Sequence, residues 1–154
     1  PLPARVGLGA GVNTGKILVG NIGSEKKLGY DCLGDPVSVA ARLESQTKSY
    51  GVLLIVGPDT VQQARDDFDW WELDNIAVKG KEKPLRIYAV HKQTKEHVEF
   101  LKNYYDGNWD VCIRDIGEYK RAAPKMSAYY ECMLNRLRSG KPSNWDGIYR
   151  ATSK

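Results

Sequence analysis

The sequence predicts a mixed α/β (α+β) domain that is followed by a C-terminal helical hairpin extension. Three observations predict this fold class: short runs with strand periodicity, one long helical pattern between them, and, toward the C-terminal end, apolar stripes with helical spacing alone. Because the patterns become purely helical near residue 92, we divide the 154 residues into 1–91 and 92–154.

Short strands are predicted on both sides of the long helix. They combine apolar side chains with turn residues at their ends, and the first of them alternates apolar residues with glycine. The predicted strands are residues 5–12, 16–20, 52–56, 70–78 and 85–90. Residues 20–34 are predicted to be loop-like with short extended pieces.

The long helix is predicted from signals at both of its ends. Asp35 as an N-cap acid and Pro36 at the first helical position favour a start there, and Gly51 favours a stop. A second helix is predicted over residues 58–67. A helix between strands implies a layer of helices on a sheet.

Residues 92–154 carry three amphipathic stripes, at residues 98–105, 109–119 and 126–137. Glycine or proline ends each stripe. The second stripe resembles the second helix of a tetratricopeptide repeat. One such repeat cannot stand alone, so the extension should pack on the core or on a partner. It is either a dimerisation or regulatory attachment, or a stabilising cap.

Composition argues against several classes of protein. The hydrophobic content of 42% and charged content of 27% are typical of a globular protein. Three scattered cysteines without C-x-x-C spacing disfavour a disulfide framework or a zinc site. No apolar run approaches the roughly 20 residues that span a bilayer. The net charge of +4 lies in residues 92–154, where charges alternate in sign, so a nucleic-acid partner is not expected.

The glycine-rich opening does not match the common phosphate-binding loops. A dinucleotide motif that starts at Gly7 would need its third glycine where Val12 stands. A P-loop that ends in Gly15 and Lys16 would need serine or threonine where Ile17 stands. We therefore reject both interpretations.

Three motifs follow one another in the first part of the chain. They read R-V-G-L-G with N-T-G at residues 5–15, Y-D-C-L-G-D-P-V-S-V-A-A-R-L-E-S at residues 30–45, and V-K-G-K at residues 78–81. In order and spacing they resemble the class III nucleotidyl cyclases, with signatures R-x-G-I-x-x-x-x-T-G, Y-x-x-x-G-x-x-V-N-x-A-x-R-x-E and V-K-G-K. The resemblance covers about residues 4–91 and implies a ferredoxin-like cyclase core that is incomplete at its N-terminus.

The resemblance implies an adenylate cyclase, a lyase that converts ATP to cyclic AMP and pyrophosphate. In that chemistry the ribose 3′-hydroxyl attacks the α-phosphate, assisted by two Mg²⁺ or Mn²⁺ ions. The family shares active sites across a head-to-tail dimer, so a homodimer is expected. Its two metal-binding aspartates lie upstream of the first matching strand. We therefore expect no metal ligand in this chain and no activity from this fragment alone.

Two predicted catalytic residues lie on the long helix. Arg42 matches the arginine that stabilises the transition state in the family, and a planar, permanently charged guanidinium suits phosphate oxygens. The alternative is a surface arginine paired with Glu44 or Glu72. Ser38, four residues earlier on the same helix face, matches a position where the family usually has asparagine near the ribose. The shorter serine would reach the ribose at close range or through a water, or it has no role.

Three further residues match substrate-binding positions of the family. Asp31 matches the residue that reads the purine: a carboxylate accepts a hydrogen bond from the adenine amino group and disfavours the guanine carbonyl, so ATP is expected. Guanylate cyclases have cysteine there, but Cys32 should point to the opposite strand face. Lys79 matches the lysine that reaches the triphosphate from the last hairpin. Lys26 matches a cation near the phosphates in the other protomer, or it is a solvated loop residue.

Two alternatives to an adenylate cyclase stay open. One is a guanylate cyclase. The other is a catalytically degenerate cyclase fold that serves as a dimerisation or regulatory module, which the serine at position 38 favours. The resemblance also implies a cytoplasmic output domain in signal transduction, with a sensor or membrane segment upstream.

Overall fold

A computed structural model describes residues 7–24, 27–79 and 83–151, and for residues 22–24 and 27–33 it describes the backbone alone. Within these residues the chain forms strands and helices in the predicted mixed α/β order. They are β1 (Ala10–Val12), β2 (Leu18–Ser24), β3 (Lys27–Leu33), α1 (Asp35–Tyr50), β4 (Leu54–Val56), α2 (Pro58–Gln63), β5 (Trp70–Ile76), β6 (Leu85–Val90), α3 (Lys95–Asp106), α4 (Trp109–Ala122) and α5 (Ser127–Arg138). The predicted fold class, with its helical C-terminal extension, is confirmed.

The central sheet has the strand order β1-β4-β6-β5. β1 and β4 run parallel, and the chain between them returns through α1. β6 is antiparallel to both β4 and β5, and β5 has a bulge between Glu72 and Asp74. The sheet therefore ends at β5, whose outer edge lies beside the C-terminal end of the described chain.

β2 and β3 form a separate antiparallel pair, so the prediction of a loop-like segment over residues 20–34 is wrong for most of it. Leu18 lies opposite Leu33, and the register continues to Ser24 opposite Lys27. Each strand gains its hydrogen bonds from the other, and such pairing overrides a weak local preference for strand. The short extended pieces that the sequence predicts are thus two seven-residue strands.

The two ends of α1 follow local backbone chemistry. Gly34 is the N-cap, with a φ of 139°, and Asp35 lies in the first turn, so the predicted N-cap role of Asp35 is wrong. Only glycine adopts such a φ without strain, whereas an acid in the first turn still interacts favourably with the helix dipole. At the other end, Gly51 has a φ of 64° and its N–H binds helix carbonyls, as predicted for a C-cap glycine.

The glycines of the opening segment allow β1 to lie close against α1. A Cβ atom added to Gly11 would lie 2.3 Å from the carbonyl oxygen of Ala40, and one added to Gly9 would lie 2.2 Å from Oγ1 of Thr47. Both separations are shorter than a van der Waals contact. The alternation of glycine with apolar residues therefore serves helix–strand packing, in agreement with the rejection of a phosphate loop.

One continuous hydrophobic core joins the sheet to the three C-terminal helices. α3 packs against α4 and α4 against α5. Aromatic side chains of α3 and α5 contact Trp71 of β5, and Tyr119 of α4 packs on aromatic rings of α3 and α5. Core members that are fully buried include Trp71, Leu73, Ile87, Phe100, Tyr104, Tyr129, Tyr130 and Met133. The extension thus packs on the core, as predicted. The boundary at residue 91 and the likeness to a tetratricopeptide repeat stay predictions.

His97 is a buried link between α3, β5 and α5. Its ring stacks on Trp71 with 3.7 Å between ring centroids. Nε2 donates to the carbonyl oxygen of Glu72 at 2.6 Å, which leaves Nδ1 to accept from the Tyr130 hydroxyl at 2.9 Å. Burial lowers the pKa of His97 to about 3, so the imidazole is neutral in the folded protein.

We expect this histidine to make the fold sensitive to acid. In the unfolded chain His97 takes up a proton below its ordinary pKa of 6.5, whereas the folded protein excludes that proton down to about pH 3. Its contribution to stability is therefore complete above pH 6.5 and declines as the pH falls toward 3. Between pH 7 and pH 5 the loss is about 2 kcal/mol.

The measurement is the free energy of unfolding at both pH values for the wild type and for His97→Gln, which does not titrate. The wild type should lose about 2 kcal/mol more than the variant over this interval. An equal loss in both proteins would show that His97 does not carry this pH dependence.

Candidate active site

Helix α1 places Ser38 and Arg42 on one side and its core residues on another. Val39, Leu43 and Tyr50 are buried against the sheet and the extension. Ser38 is exposed and Arg42 is half-buried. Because they are four residues apart in a regular helix, their side chains are neighbours on its surface. The structure therefore confirms the shared helix face, while the roles of both residues stay predictions.

The turn after β1 holds the N-terminal end of α1. Nδ2 of Asn13 donates to the carbonyl oxygen of Pro36 at 3.1 Å. The hydroxyls of Thr14 and Thr60 lie 2.7 Å apart, which ties the same turn to α2. A Cβ atom on Gly15 would lie 2.3 Å from Cγ of Pro36. The N-T-G motif thus fixes the start of the helix that carries Ser38 and Arg42.

Arg42 borders a narrow cleft between α1, the end of β5 and the C-terminal segment. The cleft is lined by Arg42, Gln46, Ile76, Ala77, Tyr149 and Ala151. Among the residues that the structure describes, the Arg42 guanidinium has no ion-pair partner. Glu72, one alternative partner, instead binds Nη1 of Arg86 at 2.9 Å and accepts from the Tyr105 hydroxyl at 2.8 Å. The charge of Arg42 is therefore not neutralised by an ion pair in the described part of the chain.

Lys79 follows directly on the strand end that borders this cleft. Ala77 lines the cleft, Val78 is buried, and Lys79 is exposed in the turn that comes next. Because Ile76 and Val78 are buried, Lys79 follows from a fixed backbone position next to the strand end that borders the cleft. This arrangement brings a second cation toward the end of β5.

The remaining predicted residues lie in or next to the β2–β3 pair. Asp31 is in β3, opposite Gly20 of β2, and Cys32 is opposite Val19. For Asp31 and Cys32 the structure describes the backbone alone. Lys26 lies outside the described residues. The structure thus groups Ser38, Arg42 and the strand end before Lys79, and leaves the base-reading prediction untested.

A buried charge network that the sequence analysis missed lies behind the cleft. Asp74 is fully buried and accepts from the Tyr50 hydroxyl at 2.6 Å and from Nη1 of Arg136. The same nitrogen of Arg136 donates to the Tyr104 hydroxyl at 2.9 Å. Burial, followed by the charge of Asp74, raises the pKa of Tyr50 well above its ordinary value. The network connects α1, β5, α3 and α5.

Larger cavities of the described chain lie away from the predicted residues. One of about 410 Å³ lies between α4, α5 and the C-terminal segment, and one of about 610 Å³ lies between the opening segment and the C-terminal half of α1. Neither contains Ser38, Arg42 or Lys79 in its lining. We therefore locate the candidate site by the chemistry of its residues rather than by cavity size.

The described residues do not fit a metal centre. Over residues 7–24, 27–79 and 83–151, no group of three or more histidine, cysteine, aspartate or glutamate side chains could hold a metal ion.

The same residues include no helix with the length and apolar character that a membrane crossing requires.

Comparison with known proteins links this chain to one family. The family model described as the adenylate and guanylate cyclase catalytic domain matches residues 4–92. Adenylate cyclase 1 of Rhizobium meliloti is 36% identical over 80 residues, which cover 52% of this chain and 12% of that protein. The terminal-differentiation specific adenylate cyclase of Dictyostelium discoideum is 33% identical over 147 residues, covering 91% of this chain and 7% of that protein. The second alignment therefore extends into the helical extension.

Part of the chain is also similar to a solved structure. The adenylyl cyclase CyaB from P. aeruginosa is 28% identical and has a TM-score of 0.42, covering 51% of this chain and 39% of that one. The chain spans only 12% and 7% of the lengths of the Rhizobium and Dictyostelium relatives.

Proposed function

Since this chain belongs to the family of adenylate and guanylate cyclase catalytic domains, we propose that the full-length protein is an adenylate cyclase that converts ATP to cyclic AMP and pyrophosphate. The observation that carries the proposal is the position of Arg42. It lies within the longest family motif, its helix is fixed at both ends, and its guanidinium borders a cleft without an ion-pair partner in the described part of the chain. Such a cation suits an anion that develops charge during reaction.

The proposed chemistry assigns a separate role to each cation. As pyrophosphate leaves, negative charge builds on the bridging and non-bridging oxygens of the phosphates. Arg42 donates to these oxygens from α1, and Lys79 binds the triphosphate from the turn after β5. Lys26 is the proposed third cation, toward the phosphates in the partner protomer. Fixed charges of this kind lower the barrier because they need no rearrangement during the reaction.

Asp31 and Ser38 are proposed to contact the nucleoside. Asp31 accepts a hydrogen bond from the adenine amino group, and this contact favours ATP over GTP. Ser38 contacts the ribose, directly or through a water, from the exposed side of α1. A hydroxyl in place of an amide offers one donor rather than two. This departure supports a second candidate, a degenerate cyclase fold that serves dimerisation or regulation.

The remaining features of the proposal concern the intact protein. Mg²⁺ or Mn²⁺ ions, when bound, lower the pKa of the ribose hydroxyl and neutralise the phosphates, and their ligands are proposed to lie outside the described residues. The active sites are proposed to be shared between the protomers of a homodimer. We place the domain in the cytoplasm as the output domain of a signalling protein.

The experiment compares the full-length protein with this 154-residue fragment. Each is incubated with ATP and Mn²⁺, and cyclic AMP and pyrophosphate are measured. The full-length protein should form the two products in equal amounts, and the fragment alone should form neither. Cyclic AMP from the fragment would contradict the proposed placement of the metal ligands. A full-length dimer without product would favour the degenerate module.

A further inference from the structure

The C-terminal segment Trp145–Ala151 covers the outer edge of β5. The N–H of Tyr149 donates to the carbonyl oxygen of Asn75, and the N–H of Ala77 donates to that of Tyr149, both at 2.9 Å. Tyr149 thereby forms a parallel bridge with Ile76. An uncovered edge would leave these backbone groups without partners. The segment thus extends the sheet at the point where β5 reaches the Arg42 cleft.

Side chains fix this segment on the helical extension. Nε1 of Trp145 lies 3.1 Å from the carbonyl oxygens of both Tyr104 and Tyr105. Gly147 has a φ of 84°, a value that suits glycine and lets the chain turn back toward β5. Since Trp145 and the backbone bridge hold the segment at two points, Tyr149, which forms that bridge, has a defined position.

Tyr149 contacts the buried charge network and also lines the cleft. The Arg136 guanidinium stacks over the Tyr149 ring, with its central carbon 3.5 Å from the ring centroid. Arg136 is itself fixed by Asp74 and Tyr104. Desolvated stacking of this kind is worth about 2 kcal/mol. The ring is therefore fixed by Arg136, and the residue also lines the cleft of Arg42.

We propose that Tyr149 is a positioning residue for Arg42. The Arg42 side chain has several rotatable bonds, and its charge is useful only where it meets the phosphates. Tyr149 and Ala151 form the wall of the cleft opposite α1, and this wall restricts the arrangements open to the guanidinium. The C-terminal extension thereby takes part in the active site without contact to the nucleotide. The inference rests on the proposed function, because it assumes that Arg42 acts on the nucleotide.

The test uses the full-length protein, assayed with ATP and Mn²⁺. Tyr149→Ala keeps the backbone bridge but removes the ring. It should lower kcat on the order of 10-fold, with kcat/KM falling by the same factor, because the lost contact matters in the transition state. Tyr149→Phe should retain wild-type turnover, since the ring is preserved. Ile148→Ala is the matched control, because Ile148 lines the cavity of about 410 Å³ and not the cleft, and its turnover should not change.

A double-mutant cycle separates positioning from general damage. In an Arg42→Ala background, Tyr149→Ala should have no further effect, whereas in a Lys79→Ala background it should lower kcat by the original factor. If Tyr149→Ala lowers kcat by the same factor in the wild-type, Arg42→Ala and Lys79→Ala backgrounds, the inference is overturned and the proposed function stays intact. If Arg42→Ala itself leaves turnover unchanged, the inference and the proposed role of Arg42 are both overturned. Should Tyr149→Ala not fold, Tyr149→Leu replaces it, with the same non-additivity expected.

Discussion

Replacing Arg42 by alanine should lower the turnover of the full-length protein by on the order of 10²-fold or more, the size expected when a preorganised charge donor to a transition state is removed. The guanidinium is half-buried at a cleft and has no competing partner among the described residues, so its loss removes a charge that water cannot replace equally well. Because this contact strengthens as charge develops, kcat and kcat/KM should fall together.

The measurement is the steady-state rate of cyclic AMP formation for wild type, Arg42→Ala and Arg42→Lys. The lysine variant should recover only part of the activity, because an ammonium cannot bind two phosphate oxygens through a planar fork. Arg65→Ala is the control, since Arg65 is exposed beyond α2 and away from the cleft. Unchanged turnover in Arg42→Ala would remove this residue from the mechanism.

Replacing Asp74 by alanine should destabilise the fold by about 3–5 kcal/mol, because it leaves the buried Arg136 charge without its counter-ion. Asp74 is fully buried and Arg136 is nearly so, so water cannot solvate the abandoned charge. The Tyr50 hydroxyl loses its acceptor in the same variant. This substitution should have the largest effect on stability, although Asp74 lies outside the cleft.

Chemical unfolding, followed by tryptophan fluorescence, measures this effect. Arg86→Ala is the matched control: it breaks the more exposed pair with Glu72 and should cost less than about 1 kcal/mol. Replacing both buried partners, as in Asp74→Leu with Arg136→Met, should recover much of the loss because no charge is then left unpaired. If Asp74→Ala is no more destabilising than Arg86→Ala, the network does not have the role that its burial indicates.

Local signals account for the parts of the fold that the sequence predicts well. The bounds of α1 follow from Pro36 in the first turn and from the C-cap at Gly51, and both signals act within a few residues. The predicted bounds of strand β6, residues 85–90, also agree with the structure. The β2–β3 pair was not predicted, because its strands are stabilised by each other rather than by their own periodicity.

In the candidate site, too, the sequence predicts the residues that carry local signals and misses those that depend on contacts between distant parts of the chain. Arg42, Ser38 and Lys79 are predicted from the sequence because they lie within motifs of fixed spacing. Tyr149 is not, because its contact with β5 is made through the backbone of residues far apart in the chain. Asp74 offers one usable signal, since an acid inside a predicted strand indicates either a turn or a buried partner. Its partner on α5 required the structure.

The most direct test of the central claim is the kcat/KM of the full-length protein for ATP and for GTP, measured in parallel with identification of each cyclic product. We predict cyclic AMP as the main product, with kcat/KM for ATP higher on the order of 10-fold or more, because an aspartate at the base-reading position leaves the guanine carbonyl opposite a carboxylate. A preference for GTP, or no cyclic nucleotide from either substrate with Mg²⁺ or Mn²⁺ present, would contradict the assignment.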